Sequence, residues 1–509
     1  MARFRSTRVG VVMLRHGSPI WVSCAVLLVA APAVAAPASS SAAASATIAD
    51  PPGRRLAIDT PLGHYATPSA LVSRTLYLER CKGGCQVHRG LNDARTNTST
   101  IPLIPEATVG EFASSVGLTG AAADAEWGLL VQCLKEVYSP YNVVVTDVKP
   151  ASGASYHEAM IAGRPGDIGQ ASDILGLAPL ANDCSAIDNV ISFSFANQHP
   201  PAAYVLNVCW TAAQESAHAF GLDHEYSFVT GGSACNDPMT YRNDCGGEKF
   251  FRNLAANCGE NATRACRCST SQNSHQKLLS VFGAGMPITG APTVVLTVPS
   301  AASTTLGPSV SAQAGAKRGV ARVEVFFNGF SWAKAPGAAF TRDGQPDPST
   351  YTIAVPATLP NSIVDVKVVA YDDLDVAKAS AVVTVTKGAP CTTATSCAEG
   401  QNCEAGKCFW DPPSGELGDS CAYPQFCKSG ICQGTKGQQI CIQACIPGAS
   451  DGCPSDFACV APGPGAGDGV CSFEANGGCC SVDRSERGWV VYGGIAAALL
   501  VLVARRRRR

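Results

Sequence analysis

Apolar positions recur at helical spacing from Ala121 to Val137, where Trp127, Leu130, Val131, Leu134 and Val137 line one face and predict a helix. The run Tyr141-Asn142-Val143-Val144-Val145-Thr146-Asp147-Val148 is β-branched and predicts a strand. An earlier short alternating strand, Thr75-Leu76-Tyr77-Leu78, is where ordered structure is expected to begin. A further apolar strand, Val190 to Phe195, precedes a second helix from about Tyr204 to Phe220. Helices alternating with strands indicate an α/β or α+β domain over residues 75–286. From about Gly290 the pattern changes to short strands between turn residues, at Val294–Val298, Val323–Phe327, Val364–Val369 and Val382–Val385. Roughly 100 residues of this kind suggest a β-sandwich, placed at 290–388.

The ends carry a different signal. Arg3, Arg5, Arg8 and Arg15 precede an apolar run from Ile20 to Ala36 that closes on Ala33-Val34-Ala35. This is the layout of a signal peptide over 1–36. Residues 37–55 are rich in Ala, Ser and Pro and read as a disordered linker, so that 37–74 is a linker or pro-segment. Gly488 to Ala504 is apolar and uncharged and is followed by Arg505–Arg509, which predicts a C-terminal transmembrane helix with cytoplasmic arginines. At 509 residues the chain needs several cores. Its net charge of -2, with 38 basic and 40 acidic residues intermixed, points to no nucleic-acid or acidic partner apart from the basic run at the end.

Cysteine usage narrows the setting. Of 25 cysteines, Cys24 lies in the leader and Cys479 and Cys480 in the tail, with ten between Cys81 and Cys268 and twelve between Cys391 and Cys471. Even numbers in each block favour disulfides formed in an oxidising compartment. Cys81-Lys82-Gly83-Gly84-Cys85 fits a small disulfide loop, or two separate bridges, better than a metal site. Residues 389–475 form a cysteine-rich module in which Cys397, Cys403 and Cys408 repeat as Cys421, Cys427 and Cys432, and Cys453 and Cys459 echo the first half. Disulfides stand in for a core there. Zinc knuckles are the alternative, but the segment contains no His.

The candidate chemistry lies in Gln214-Glu215-Ser216-Ala217-His218-Ala219-Phe220-Gly221-Leu222-Asp223-His224. Positions 214 and 218 are one helical turn apart and can reach the same ion. Glu215 can aim at a water on that ion as general base. Gly221 suits a left-handed helix terminus that returns His224 as a third ligand. The stretch follows H-E-x-x-H-x-x-G-x-x-H except at its first position, where Gln214 replaces His. It resembles the zinc signature of the metzincin metalloproteases.

Asn236-Asp237-Pro238-Met239-Thr240-Tyr241 resembles the Met-turn of that family, with Met239 below the metal. Tyr241 stands where astacin-like and serralysin-like members carry a zinc-approaching tyrosine, and Glu225 is the residue astacins place after the third His. The resemblance implies an α+β metzincin-like protease domain holding one zinc ion on Gln214, His218 and His224, with Glu215 and Tyr241 catalytic. A side-chain amide is a poorer zinc ligand than an imidazole, so metal occupancy hangs on Gln214. His199 is the one substitute ligand with plausible placement, while His64, His88, His157 and His275 lack partner spacing. No P-R-C-G motif lies upstream, so latency through a thiolate ligand has no support in the sequence.

Two further resemblances complete the reading. Gly319 to Gly329 resembles immunoglobulin-like modules attached to bacterial secreted enzymes, which implies a spacer or adhesive unit. Gly477-Gly478-Cys479-Cys480, the apolar run and the terminal arginines resemble the C-terminal sorting tags of myxobacterial surface proteins, assigned here to 476–509. Together these imply a multidomain protein exported to the cell envelope or outer surface, with a membrane contact through its C-terminal helix and possible release after processing there. Two functions are open: a surface-anchored zinc metalloendopeptidase acting on proteins or peptides, or an inactive metzincin-fold pseudoprotease acting as a surface binding or adhesion protein.

Overall fold

Among the described residues α-helix forms in three places, and the rest is mainly strand and turn. The computed structural model describes residues 53–61, 72–242, 247–337, 349–435, 437–445, 453–454, 457–460 and 469–473. In chain order it begins with β1 (Arg54–Thr60) and β2 (Thr75–Glu79), then a small sheet of β3 (Cys85–Arg89), β4 (Thr98–Ser99) and β5 (Glu106–Val109). Helix α1 (Ala121–Tyr138) follows, then β6 (Val144–Thr146), β7 (His157–Ile161), β8 (Ile174–Ala181), β9 (Ile191–Ser194) and helix α2 (Tyr204–His218). A hairpin-like pair, β10 (Glu225–Phe228) with β11 (Ala256–Cys258), and helix α3 (Ser274–Phe282) close this region.

Six strands form one sheet in the order β1-β8-β9-β7-β2-β6. All neighbours in it are parallel except β8 and β9, so β1 and β8 run against the other four. Helix α2 lies against β1, β7, β8 and β9, and also against α1. Trp127, Leu130 and Leu134 of α1 share a core with Phe193, Val208, Trp210 and Phe220. The Cys133–Cys209 disulfide ties the two helices together.

The next region is a two-layer sandwich of alternating strands. One layer is β12 (Thr293–Val298), β13 (Ser309–Gly315) and β16 (Ser349–Ala354). The other is β15 (Phe330–Pro336), β14 (Arg322–Phe327), β17 (Ser362–Tyr371) and β18 (Ala377–Ala379), with β19 (Val383–Lys387) also paired to β17. Every second residue points inward: Val323, Val325 and Phe327 pack with Val364, Val366 and Val368, as the two-residue period of strands requires. This is an immunoglobulin-like β-sandwich. Asp373 joins it to the preceding region, pairing with Arg318 at 2.8 and 2.9 Å and with Arg252 at 3.3 Å.

The cysteine-rich region resolves into units of four cysteines, each paired first to third and second to fourth. The pairs are Cys391–Cys403 with Cys397–Cys408, Cys421–Cys432 with Cys427–Cys441, and Cys445–Cys459 with Cys453–Cys471. The repeat read from spacing therefore omits Cys391 from the first unit, Cys441 from the second, and Cys445 and Cys471 from the third. Cys81 and Cys85 form the small loop bridge.

The fold class expected above needs correction. The α+β assignment, with a metzincin-like domain and a transmembrane helix, gives way to a mainly β architecture with three α-helices among the described residues. The short β-branched runs expected as strands do form sheet, and strands not read from the sequence, β1, β3, β5, β7 and β8 among them, raise the share of β structure. Among the described residues no helix is long and apolar enough to cross a membrane. The leader, the Gly488–Ala504 run and the tag residues lie outside the described residues. The onset of order also differs: β1 lies in the stretch read as linker or pro-segment.

Candidate metal centre

Helix α2 delivers three of the singled-out side chains to one place. Gln214, Glu215 and His218 are each wholly buried, and α2 ends on His218. Gly221 then adopts φ +87°, and a Cβ there would stand 2.1 Å from the Cys184 carbonyl oxygen. Only glycine fits such a reversal. The turn brings His224 back against His218, their rings 4.6 Å apart and nearly perpendicular at 86°.

The hydrogen bonds settle which ring nitrogens face inward. His218 Nδ1 donates to the Leu222 carbonyl at 2.7 Å, and His224 Nδ1 donates to Glu260 at 3.0 Å. In a neutral imidazole this leaves a lone pair on each Nε2. Those two Nε2 atoms face each other at 3.0 Å. Two bare lone pairs at that distance repel unless a proton or a metal ion sits between them. Burial, and then the neighbouring His224, push the His218 pKa down to about 3, which works against the proton. Tetrahedral zinc would set two imidazole nitrogens about 3.3 Å apart, close to the spacing present.

The surrounding shell is charge-balanced. Glu260 also accepts from Arg264 at 2.7 Å, and the His224 contact followed by Arg264 holds its carboxyl well below the usual range. Arg264 is bidentate to Asp223 at 2.6 and 2.9 Å, and Asp223 accepts from the His224 backbone at 2.8 Å. Asp223, His224 and Glu260 are close enough to form a three-donor cluster. With both carboxylates engaged by Arg264, they orient His224 rather than compete for an ion.

Gln214 donates its amide to the Met239 carbonyl at 3.4 Å, while its Oε1 is buried without a partner. That orphaned oxygen, on a residue one helical turn before His218, suits a cation. Both Glu215 oxygens are likewise buried and unpartnered, and burial pushes this carboxyl far up, with Arg55 opposing. Glu215 lies against Gly176 of β8, where a Cβ would meet its Oε1 at 2.5 Å. Met239 is fully buried, and its backbone oxygen also accepts from Glu225 at 2.9 Å. The Tyr241 ring stands 4.8 Å from that of His224, and its hydroxyl accepts from the Arg55 backbone at 3.1 Å.

His199 is buried with both ring nitrogens unpartnered, and burial followed by Arg55 lowers its pKa to about 3. No three-donor cluster among the described residues includes it. Sequence reasoning missed Glu260 and Arg264. Only their Glu–Arg i,i+4 spacing was available as a signal, and that is common on any surface.

No protein-family model matches the chain, and no curated protein does. Among solved structures, fibronectin(III)-like modules of Clostridium thermocellum CbhA are 20% identical across 19% of this chain and 96% of theirs, at a TM-score of 0.14. Wild-type OgpA from Akkermansia muciniphila is 10% identical across 67% of this chain and 99% of its own, at a TM-score of 0.19. Catalytically inactive OgpA in complex with an O-glycopeptide (glycodrosocin) substrate is 10% identical across 65% and 95%, at a TM-score of 0.15. At such scores these likenesses carry no argument about this chain.

Proposed function

We propose that the chain is an exported metal-dependent endopeptidase with a metzincin-type zinc centre, in which Gln214, His218 and His224 hold the ion. The observation that carries this reading is the facing pair of imidazole lone pairs at 3.0 Å, with an unpartnered Gln214 oxygen on the preceding turn of the helix. Zinc bound there would polarise a peptide carbonyl and acidify water. Glu215, whose carboxyl has no protein partner and which a bound cation would hold ionised against the burial that raises its pKa, would take the proton of the attacking water and pass it to the leaving amine. Tyr241 would donate its hydroxyl hydrogen to the oxyanion that develops on the carbonyl. Burial, then Glu215, hold that phenol above its usual pKa, so it keeps the proton it would donate. Ten disulfides among the described residues support a location outside the reducing cytosol.

The test is casein cleavage by the full chain beside Glu215→Ala. Loss of the general base should lower turnover by about 10²- to 10⁴-fold and leave bound zinc in place. Equal cleavage by the two proteins would remove Glu215 from the chemistry.

A further inference from the structure

Strand β1 lies along the free side of β8 and passes over the candidate centre. Arg55 is paired with Gly176, the residue against which Glu215 rests, and its backbone engages the Tyr241 hydroxyl. A peptide brought to Glu215 along this sheet edge would use the backbone groups that β1 now occupies. The side chains of β1 therefore mark which pockets lie beside the edge.

One of those positions is electrostatically distinct. Near one end of β1, Asp59 contacts the Arg267 guanidinium. Arg267 sits between Cys266 and Cys268, which are bridged to Cys258 and Cys184, and its own backbone N–H donates to Asp223 at 3.0 Å. The loop is thus pinned on both sides of the arginine. Among the described residues the guanidinium meets two carboxylates, Asp59 and, at 3.6 Å, Asp223. Asp223 is already bidentate to Arg264, so Asp59 is the counter-charge that belongs to Arg267. Asp59 itself is 66% exposed and the Arg267 side chain 28%. The fixed, partly desolvated partner is the arginine, and the replaceable one is the aspartate.

We propose that Arg267 selects an acidic side chain in a peptide laid along β8, at the place Asp59 fills in the intact chain. The proposal rests on the endopeptidase reading for its substrate class, and its chemistry is the guanidinium–carboxylate fork. The even overall charge of the protein conceals this local preference.

Binding tests it separately from catalysis. Full chain carrying Leu56→Ser and Ile58→Ser, which remove the apolar packing that holds β1 on β8, Asp59→Ala, which frees Arg267, and Glu215→Ala, which prevents cleavage, is titrated with two fluorescein-labelled alanine-rich hexapeptides, one containing Asp and one Lys. Anisotropy should show the Asp peptide bound about tenfold more tightly. Adding Arg267→Glu should reverse the preference, and Arg267→Lys should retain it in weaker form. A preference that survives Arg267→Glu, equal affinities, or no binding of either peptide would overturn the proposal. Casein cleavage by the otherwise native chain is measured alongside. Acidic preference without cleavage would sink the endopeptidase reading alone, and cleavage without acidic preference would sink the selector alone.

Discussion

Burial sets the character of the ionisable residues around the central sheet. At the candidate centre it keeps His218 neutral and leaves the Glu215 carboxyl without a protein partner. On β7 it acts with a thermodynamic consequence. Glu158 is 1% exposed, one of its oxygens has no partner, and burial followed by the Glu79 charge lifts its pKa from 4.5 to about 8. An acid whose pKa rises on folding binds its proton more tightly in the folded state. Its contribution is therefore complete below pH 4.5 and is lost as pH climbs towards 8. Glu158→Gln cannot ionise, so urea unfolding at a series of pH values should show a flatter profile between pH 5 and 8 than wild type. Parallel profiles would mean that Glu158 keeps an ordinary pKa.

At the scale of elements, the turn after α2 is tightly constrained. Gly221→Ala would add a Cβ 2.1 Å from a backbone oxygen at φ +87°, a loss of at least about 2 kcal/mol. Thermal unfolding should register it, and an unchanged midpoint would show that the turn relaxes at no cost. Helices α1 and α2 were legible in the sequence because their apolar residues keep helical spacing, and the observed bounds differ from the expected ones by one or two residues. Strand β8 was not legible. All eight of its residues are buried, so no alternation marks it, and Gly176 and Pro179 give it the look of a loop. Strand β1 was hidden for another reason: it is an edge strand of partly buried Leu56 and Ile58 among Pro, Gly and charged residues. In the centre, the motif pointed to Gln214, Glu215, His218 and His224, because a helical turn and a glycine reversal are local. Glu260 and Arg264 arrive from a distant loop, which spacing within a motif does not encode.

At the scale of the molecule, the β-sandwich is fastened to the preceding region through a buried ionic contact. Asp373 is 5% exposed and lies between the guanidinium groups of Arg252 and Arg318, each 1% exposed. Both arginines also stack against Phe250, at 5.7 and 4.7 Å from its ring centre. Removing the shared carboxylate leaves buried positive charge, so Asp373→Ala should destabilise the protein by about 3–5 kcal/mol. Calorimetry would show the lowered transition, whereas a near-native one would mean that other contacts, among them those of Lys317 with Glu136 and Glu248, hold the two regions together. The central claim is that Gln214, His218 and His224 share a metal ion, and metal content tests it most directly. Full chain and Gln214→His are dialysed and analysed for zinc. Near-stoichiometric zinc in the natural protein, bound more tightly in the His variant and lost in His218→Ala, is the predicted result. Zinc in the Gln214→His protein alone would contradict it.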